Sequence, residues 1–242
     1  MAKLIAVCGS PDSGKTTLSL KLAQEIYTQN KSKSSVIFIS TDLCVPVMAY
    51  IFPNGKDENL HSLGKALDKT DIFKEDIIRQ FVNVNTMKNF AYLGFKLGEN
   101  KYSYPTPTED KVVQLLNAAR ASCDYVIVDC SSYEEDIIGR IAKRDCDIAI
   151  QLFNPDIRCI TYYASCVNQF MMIEGKSVKV LNIMDNDLYL PIEEAKKHFK
   201  DIKYSLPYSR ELKKQMITGT LSEGLHDTKY RAELRKLIKE VI

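Results

Sequence analysis

The chain has 242 residues and a mass of 27.5 kDa, enough for one α/β domain with a large core and no need of a second. Hydrophobic residues make up 45% and charged residues 26%, the balance of an ordinary globular protein. A formal net charge of +2 excludes any general pull toward nucleic acid or an acidic membrane, so DNA binding would need a local patch.

Met1-Ala2-Lys3 leads straight into an apolar strand, Leu4-Ile5-Ala6-Val7-Cys8. No signal peptide is expected there, no apolar run reaches transmembrane length, and a cytoplasmic protein is the expectation. Then comes Gly9-Ser10-Pro11-Asp12-Ser13-Gly14-Lys15-Thr16-Thr17, which fits G-x-x-x-x-G-K-[ST]. A helix pattern with Leu18, Leu22, Ala23 and Ile26 on one face follows. Strand, glycine-bearing loop and helix together make the phosphate-binding P-loop context. Backbone amides of such a loop curl round a phosphate, and the new helix offers its unpaired N–H groups and positive dipole end. Gly14 lets the main chain come close, Lys15 is expected to reach the β/γ-phosphates, and Thr16 to ligate Mg²⁺.

The run Val36-Ile37-Phe38-Ile39 reads as a second buried strand ending at Ser40-Thr41-Asp42. Residues 53–64 read as a loop, 71–82 as a helix with Ile72, Ile77, Ile78 and Phe81 apolar, and Phe90-Ala91-Tyr92-Leu93 as a third strand. The Gly, Tyr and Pro content of 94–107 predicts a long ordered loop. An amphipathic helix over 111–121 feeds Tyr125-Val126-Ile127-Val128-Asp129, the most strand-like run in the chain. Helix over 134–143, strand over 148–152, helix over 157–172, strand over 178–183 and strand over 203–206 follow. Helices over 209–218 and 228–241 finish the chain, with Ser209 as N-cap and Gly219 just past the end of the first. Alternation of this kind predicts an α/β, doubly wound, mostly parallel sheet of about seven strands with helices on both faces. Seven cysteines without a C-x-x-C pair read as small buried hydrophobes in a reducing compartment rather than as disulfides or iron–sulfur ligands.

Chemistry beyond phosphate binding needs metal support and a placed water. Asp129, after four apolar residues, reads as a carboxylate that holds Mg²⁺ through a water, the alternative being a helix cap. Asp42, at a strand's carboxyl end, either places the attacking water and helps the metal or caps the segment after it. Asn182 ends another strand, where its amide could read a base edge.

Taken together, these residues resemble the MinD/ParA branch of P-loop NTPases (SIMIBI type), over nearly the whole chain. The resemblance implies ATP and Mg²⁺ as ligands, an ATP-dependent homodimer, slow hydrolysis, and a protein partner or cargo that the switch positions. By position Asp42 matches the switch I carboxylate that orients water, Asp129 the Walker B Asp, and Asn182 the adenine-contacting Asn. Asp129-Cys130-Ser131-Ser132 occupies switch II. Ser10, Pro11 and Asp12 depart from the family's Lys-Gly-Gly, which removes a lysine that crosses to the partner's nucleotide. The altered loop is similar to that of the TadZ/CpaE pilus-localising proteins, whose receiver-like N-terminal domain is not expected here. Rival readings are a small-molecule kinase or ligase and a non-hydrolysing ATP-bound scaffold. The final helix carries Tyr230, Leu234, Leu237, Ile238 and Val241 on one side with basic residues around it. Such a helix either binds a membrane peripherally, as in MinD, or packs on the sheet under a solvated basic face; packing is the expected reading.

Overall fold

The computed structural model describes residues 2–30, 33–53, 61–84, 86–187 and 190–242. Strand β1 (Lys3–Gly9) leads through the glycine loop into helix α1 (Lys15–Gln29), and β2 (Val36–Ser40) follows. Three short helices, α2 (Met48–Ile51), α3 (Leu63–Leu67) and α4 (Lys74–Ile78), precede β3 (Val82–Asn83) and β4 (Phe90–Leu93). Then come α5 (Glu109–Arg120), β5 (Tyr125–Asp129), α6 (Ile137–Asp145) and β6 (Ile148–Phe153). After α7 (Ile157–Ser165) and α8 (Val167–Met171) come β7 (Ser177–Asn182), α9 (Ile192–His198) and β8 (Ile202–Leu206). Helices α10 (Arg210–Thr218) and α11 (Thr228–Val241) close the described chain.

The strands form one sheet in the order β3-β4-β2-β5-β1-β6-β7-β8, parallel except where β3 runs antiparallel to β4. Continuous apolar strands are what a sheet covered on both faces requires, because alternate residues feed opposite cores. Ile5, Val7, Phe38 and Ile127 join the core under α1 and α11, while Leu4, Ala6, Ile37, Ile39, Val126 and Val128 join the one under α3–α6. The chain leaves β1 for β2 on one side, returns to insert β5 between them, and then crosses to β6 on the other side. That reversal opens a crevice at the carboxyl end of β1, the usual ligand position in such sheets.

Several elements differ from expectation for identifiable reasons. Among the described residues there are eight strands, since Val82 and Asn83 pair with Tyr92 and Ala91. That pairing draws Val82 out of the helix expected over 71–82, which shrinks to α4. The helix expected over 157–172 breaks at Cys166 (φ −105°, ψ 19°), a break its apolar spacing runs straight across. Helix α6 starts at Ile137 rather than 134, because the Asp136 carboxylate caps it by accepting from Gly139 N at 3.0 Å. Of the loop expected over 53–64, residues 54–60 lie outside the described residues, and Leu63 already opens α3. Residues 94–107 do form turns without helix or strand, and Ser209 and Gly219 (φ 71°) flank α10 as expected. All seven cysteines are free; Cys8, Cys130, Cys146 and Cys159 are buried.

Helix α1 is sunk deeper than its one-faced pattern suggests. Lys21 is buried and donates to the carbonyls of Leu221 (2.7 Å) and Glu223 (2.6 Å), and burial lowers its pKa to about 8. Glu25, also buried, accepts from Arg231 Nε at 2.8 Å and Arg235 Nε at 2.6 Å. Two residues from the basic surround of α11 thus reach inward and tie that helix to α1. Its apolar stripe is packed too: Tyr230, Leu234, Leu237 and Ile238 are buried in the core beneath α1. Among the described residues, no helix is long and apolar enough to cross a membrane.

Candidate nucleotide-binding site

Loop 9–14 leaves β1 between its two neighbours, with Gly9 beside Leu152 of β6 and Val7 beside Asp129 of β5. Its shape depends on two residues in the left-handed region, Asp12 (φ 57°) and Gly14 (φ 85°). Aspartate tolerates that conformation, so the loop closes with Asp12 in it. Gly14 cannot be replaced as easily: a Cβ there would lie 2.6 Å from Asn182 Nδ2 and 2.8 Å from Met184 Sδ. Ser10 and Ser13 are buried, Pro11 and Asp12 exposed, and Thr17 buried in the first turn of α1.

Lys15, Thr16 and Asp129 converge. Lys15 Nζ donates to Ser10 O (2.7 Å) and to Ser132 Oγ (2.5 Å), and Ser132 Oγ in turn donates to Gly9 O (3.0 Å). Desolvation lowers the Lys15 pKa, with the Asp129 carboxylate the chief opposing influence. Thr16 Oγ1 donates to Asp129 Oδ2 at 2.7 Å, and Ser40 Oγ and Ser19 Oγ reach the same carboxyl at 3.2 and 3.4 Å. Asp129 is 2% exposed, and burial pushes its pKa up to about 6 despite the Thr16 hydrogen bond and the Lys15 charge. A half-buried cation and a buried carboxylate are therefore held by neutral hydroxyls and carbonyls, an arrangement that costs free energy until ligand charge replaces it.

The residues present fit a polyphosphate and a hard cation. Among the described residues no side chain caps α1, and its first turn has no acidic residue, so its leading amides and dipole are left for an anion. Ser13 Oγ is buried without a hydrogen-bond partner at the same spot. No group of three or more His, Cys, Asp or Glu side chains that could hold a metal occurs among the described residues. A magnesium ion here would thus depend on Thr16, Asp129, phosphate oxygens and water, as Mg²⁺ commonly does. The Thr16–Asp129 hydrogen bond stands where such an ion would sit, and cation binding would replace it.

Asp42 is turned toward its own segment: Oδ1 accepts from Cys44 N and Val45 N, each at 2.9 Å. Of the two roles open to it from sequence, this is the capping geometry. Asn182 is 4% exposed and donates to Ser13 O at 2.8 Å, so it braces the loop from the β7 side. The cleft beside it, lined by Thr17, Met184, Tyr208 and Met216 among others, is small, with a volume of about 30 Å³. Admitting a base would require the flexible thioethers of Met184 and Met216 to move.

Sequence reasoning passed over the residues that fasten the segments after β2 and β5. Thr41 Oγ1 donates to Asp136 Oδ2 at 2.5 Å, and Ser131 N donates to Thr41 Oγ1 at 2.9 Å. Asp136 thereby clasps the end of β2 to the segment after Asp129; burial raises its pKa to about 6. A hydroxyl three residues beyond Asp129, Ser132, was the available signal for a lysine partner. Arg158, in the first turn of α7, carried no signal at all, yet it lies 3.8 Å from Asp12.

The glycine loop at the crevice of a doubly wound parallel sheet, with a strand-end aspartate bonded to its threonine, defines the P-loop nucleotide-binding class. Within that class the chain has the fold of the MinD/ParA ATPases. The septum site-determining protein MinD of Pyrococcus horikoshii OT3, solved as a complex with Mg-ADP, superposes with a TM-score of 0.74 at 16% identity, covering 100% of this chain and 96% of that one. The cell division ATPase MinD of Pyrococcus furiosus gives 0.75 at 16% identity with 100% of both chains covered. A ParA family ATPase from Chlorobium tepidum TLS gives 0.71 at 14%, covering 97% of this chain and 98% of that one. No family model and no curated protein matches the sequence.

Proposed function

We propose that the protein is an ATP-binding switch of the MinD/ParA kind, a single nucleotide-binding domain that hydrolyses ATP slowly, pairs with a second copy when ATP is bound, and positions a cargo. The observation that carries the reading is the 2.7 Å contact of Thr16 with Asp129 next to a desolvated Lys15, at the mouth of this sheet. Lys15 would exchange Ser10 O and Ser132 Oγ for phosphate oxygens, and Thr16 and Asp129 would hold magnesium. The bound ion would supply charge neutralisation between the phosphates. Ser132, released by Lys15, would transmit the change to the segment it heads. Support for pairing comes from the rim of the site, where Val45 (56% exposed), Tyr133 (55%) and Ile157 (71%) leave apolar surface beside Asp42, Ser132 and Arg158.

Equilibrium binding and sedimentation of the full chain with Mg-ATP and Mg-ADP test this. Wild type is expected to bind ATP and to form a dimer with ATP but not with ADP. Lys15→Ala is expected to weaken ATP by at least about a hundredfold, the scale of losing a desolvated charge-assisted contact. ATP affinity unchanged in Lys15→Ala would remove the site assignment, and a monomer under all conditions would remove the switch.

A second reading, the non-hydrolysing scaffold, is favoured by one observation: the Asp42 oxygen that accepts from Cys44 N and Val45 N is engaged in a turn. Phosphate release by wild type and Asp42→Ala separates the two. A cycling switch turns over measurably and loses that turnover in Asp42→Ala with ATP affinity retained. In a scaffold both proteins release phosphate at the same background rate.

A further inference from the structure

Asp12 places a carboxylate on the loop assigned above to a polyphosphate, where a negative charge opposes the ligand. Arg158 answers it. Its Nη1 lies 3.8 Å from Asp12 Oδ2, with the two side chains 80% and 78% exposed. At that length and exposure the pair is held by charge alone and adds little to stability, so a stronger anion displaces it readily. Among the described residues neither side chain has another ion-pair partner.

The backbone beneath Arg158 is fixed where its tip is free. Helix α7 begins directly after β6, which lies in register beside β1, Leu152 opposite Gly9. Asp156 caps the helix by accepting from Cys159 N at 2.8 Å, and buried Cys159 accepts from Asn154 N at 3.2 Å. One turn on, the Tyr162 hydroxyl donates to Ser132 O at 3.3 Å, the residue whose side chain holds Lys15 Nζ. A long guanidinium on a fixed stem therefore stands beside Asp12 of the loop, on a helix tied through Ser132 to Lys15.

We propose that Arg158 is a second phosphate-binding cation of this site, parked on Asp12 while the loop is empty and transferred to the outer phosphates of a nucleoside triphosphate when one binds. The proposal rests on the nucleotide reading above. A planar guanidinium suits the exchange, because it can meet two phosphate oxygens at once where a carboxylate at 3.8 Å gave it only charge. In this role Asp12 is a placeholder: it keeps Arg158 at the site and sets a threshold that a monophosphate does not overcome.

The test is titration of the full chain with fluorescent ATP, ADP and AMP analogues and Mg²⁺, for wild type, Arg158→Gln, Arg158→Lys, Asp12→Asn and Lys15→Ala. Both tested side chains of the pair are exposed, and thermal melts of each variant confirm that it folds. Arg158→Gln is expected to weaken ATP by about tenfold or more, the scale of one hydrogen-bonded charge, and ADP by less. Arg158→Lys is expected to recover part of the loss, and Asp12→Asn to tighten ATP a few-fold. ATP affinity within twofold of wild type in Arg158→Gln, with Lys15→Ala still defective, overturns the proposal and leaves the site assignment standing. A loss shared equally by ATP and AMP marks a general charge effect and also overturns it. Wild type that binds no ATP, or Lys15→Ala that binds normally, instead defeats the reading beneath it.

Discussion

Asp129→Asn is expected to raise the melting temperature of the magnesium-free, nucleotide-free protein at pH 8 while removing the magnesium-dependent ATP binding proposed for it. The two effects share one cause, a carboxylate buried to 2% exposure whose hydrogen bonds come from the hydroxyls of Thr16, Ser40 and Ser19. Burial raises its pKa from 3.8 to about 6, more than the Thr16 hydrogen bond and the Lys15 charge lower it. A folded-state pKa above the unfolded one means the group contributes full stability below pH 3.8 and loses that contribution as pH rises through about 6. Roughly two units of difference cost at most about 3 kcal/mol at pH 8. Asparagine keeps an oxygen for Thr16 and discards the charge, so a gain of about 5 °C is expected for a chain of this size. At pH 4 the gain should largely vanish. Melts of the two proteins that coincide at both pH values would mean the carboxylate is not desolvated as described. Undiminished magnesium dependence of ATP binding in the variant would mean that Asp129 is not the metal's carboxylate.

Leu234→Ala is expected to destabilise the protein by about 3 kcal/mol and lower its melting temperature by roughly 10 °C. Leu234 is fully buried, between Tyr230 and Leu237 on the side of α11 that faces α1. Truncation leaves a cavity that neighbours on α1 and the sheet cannot fill, since Glu25 pins the helix through Arg231 and Arg235. The same variant separates the two uses of a terminal amphipathic helix. A helix that peels off to bind lipid would show little change in melting and a large loss of binding to anionic vesicles. A helix integral to the fold shows the reverse, and the packing seen here predicts the reverse.

Local chemistry explains which parts of this molecule could be read in advance. The P-loop was legible because its glycines, lysine and threonine meet a backbone requirement within nine consecutive residues, and Asp12 holds a left-handed φ as its side chain allows. Strands β1, β2 and β5 were legible because a sheet covered on both faces demands unbroken apolar runs. The early end of helix α4 and strand β3 were not, since backbone pairing to β4 outweighs a helical pattern only in three dimensions. The break between α7 and α8 was hidden because apolar spacing continues through it.

Composition and order along the chain determined by themselves that a P-loop sequence follows the first strand of a doubly wound parallel sheet, with an aspartate closing a strand near its middle. Tertiary structure alone decided what those residues touch. It joined Thr16 to Asp129, Lys15 to Ser132, Thr41 to Asp136 and Arg158 to Asp12 across 113, 117, 95 and 146 positions of chain. It also turned Asp42 into its own loop and buried the last helix against α1. The reason is that a pattern reports the period of one element, whereas charge pairing, desolvation and the choice among a side chain's possible partners depend on which strand tips the topology brings together.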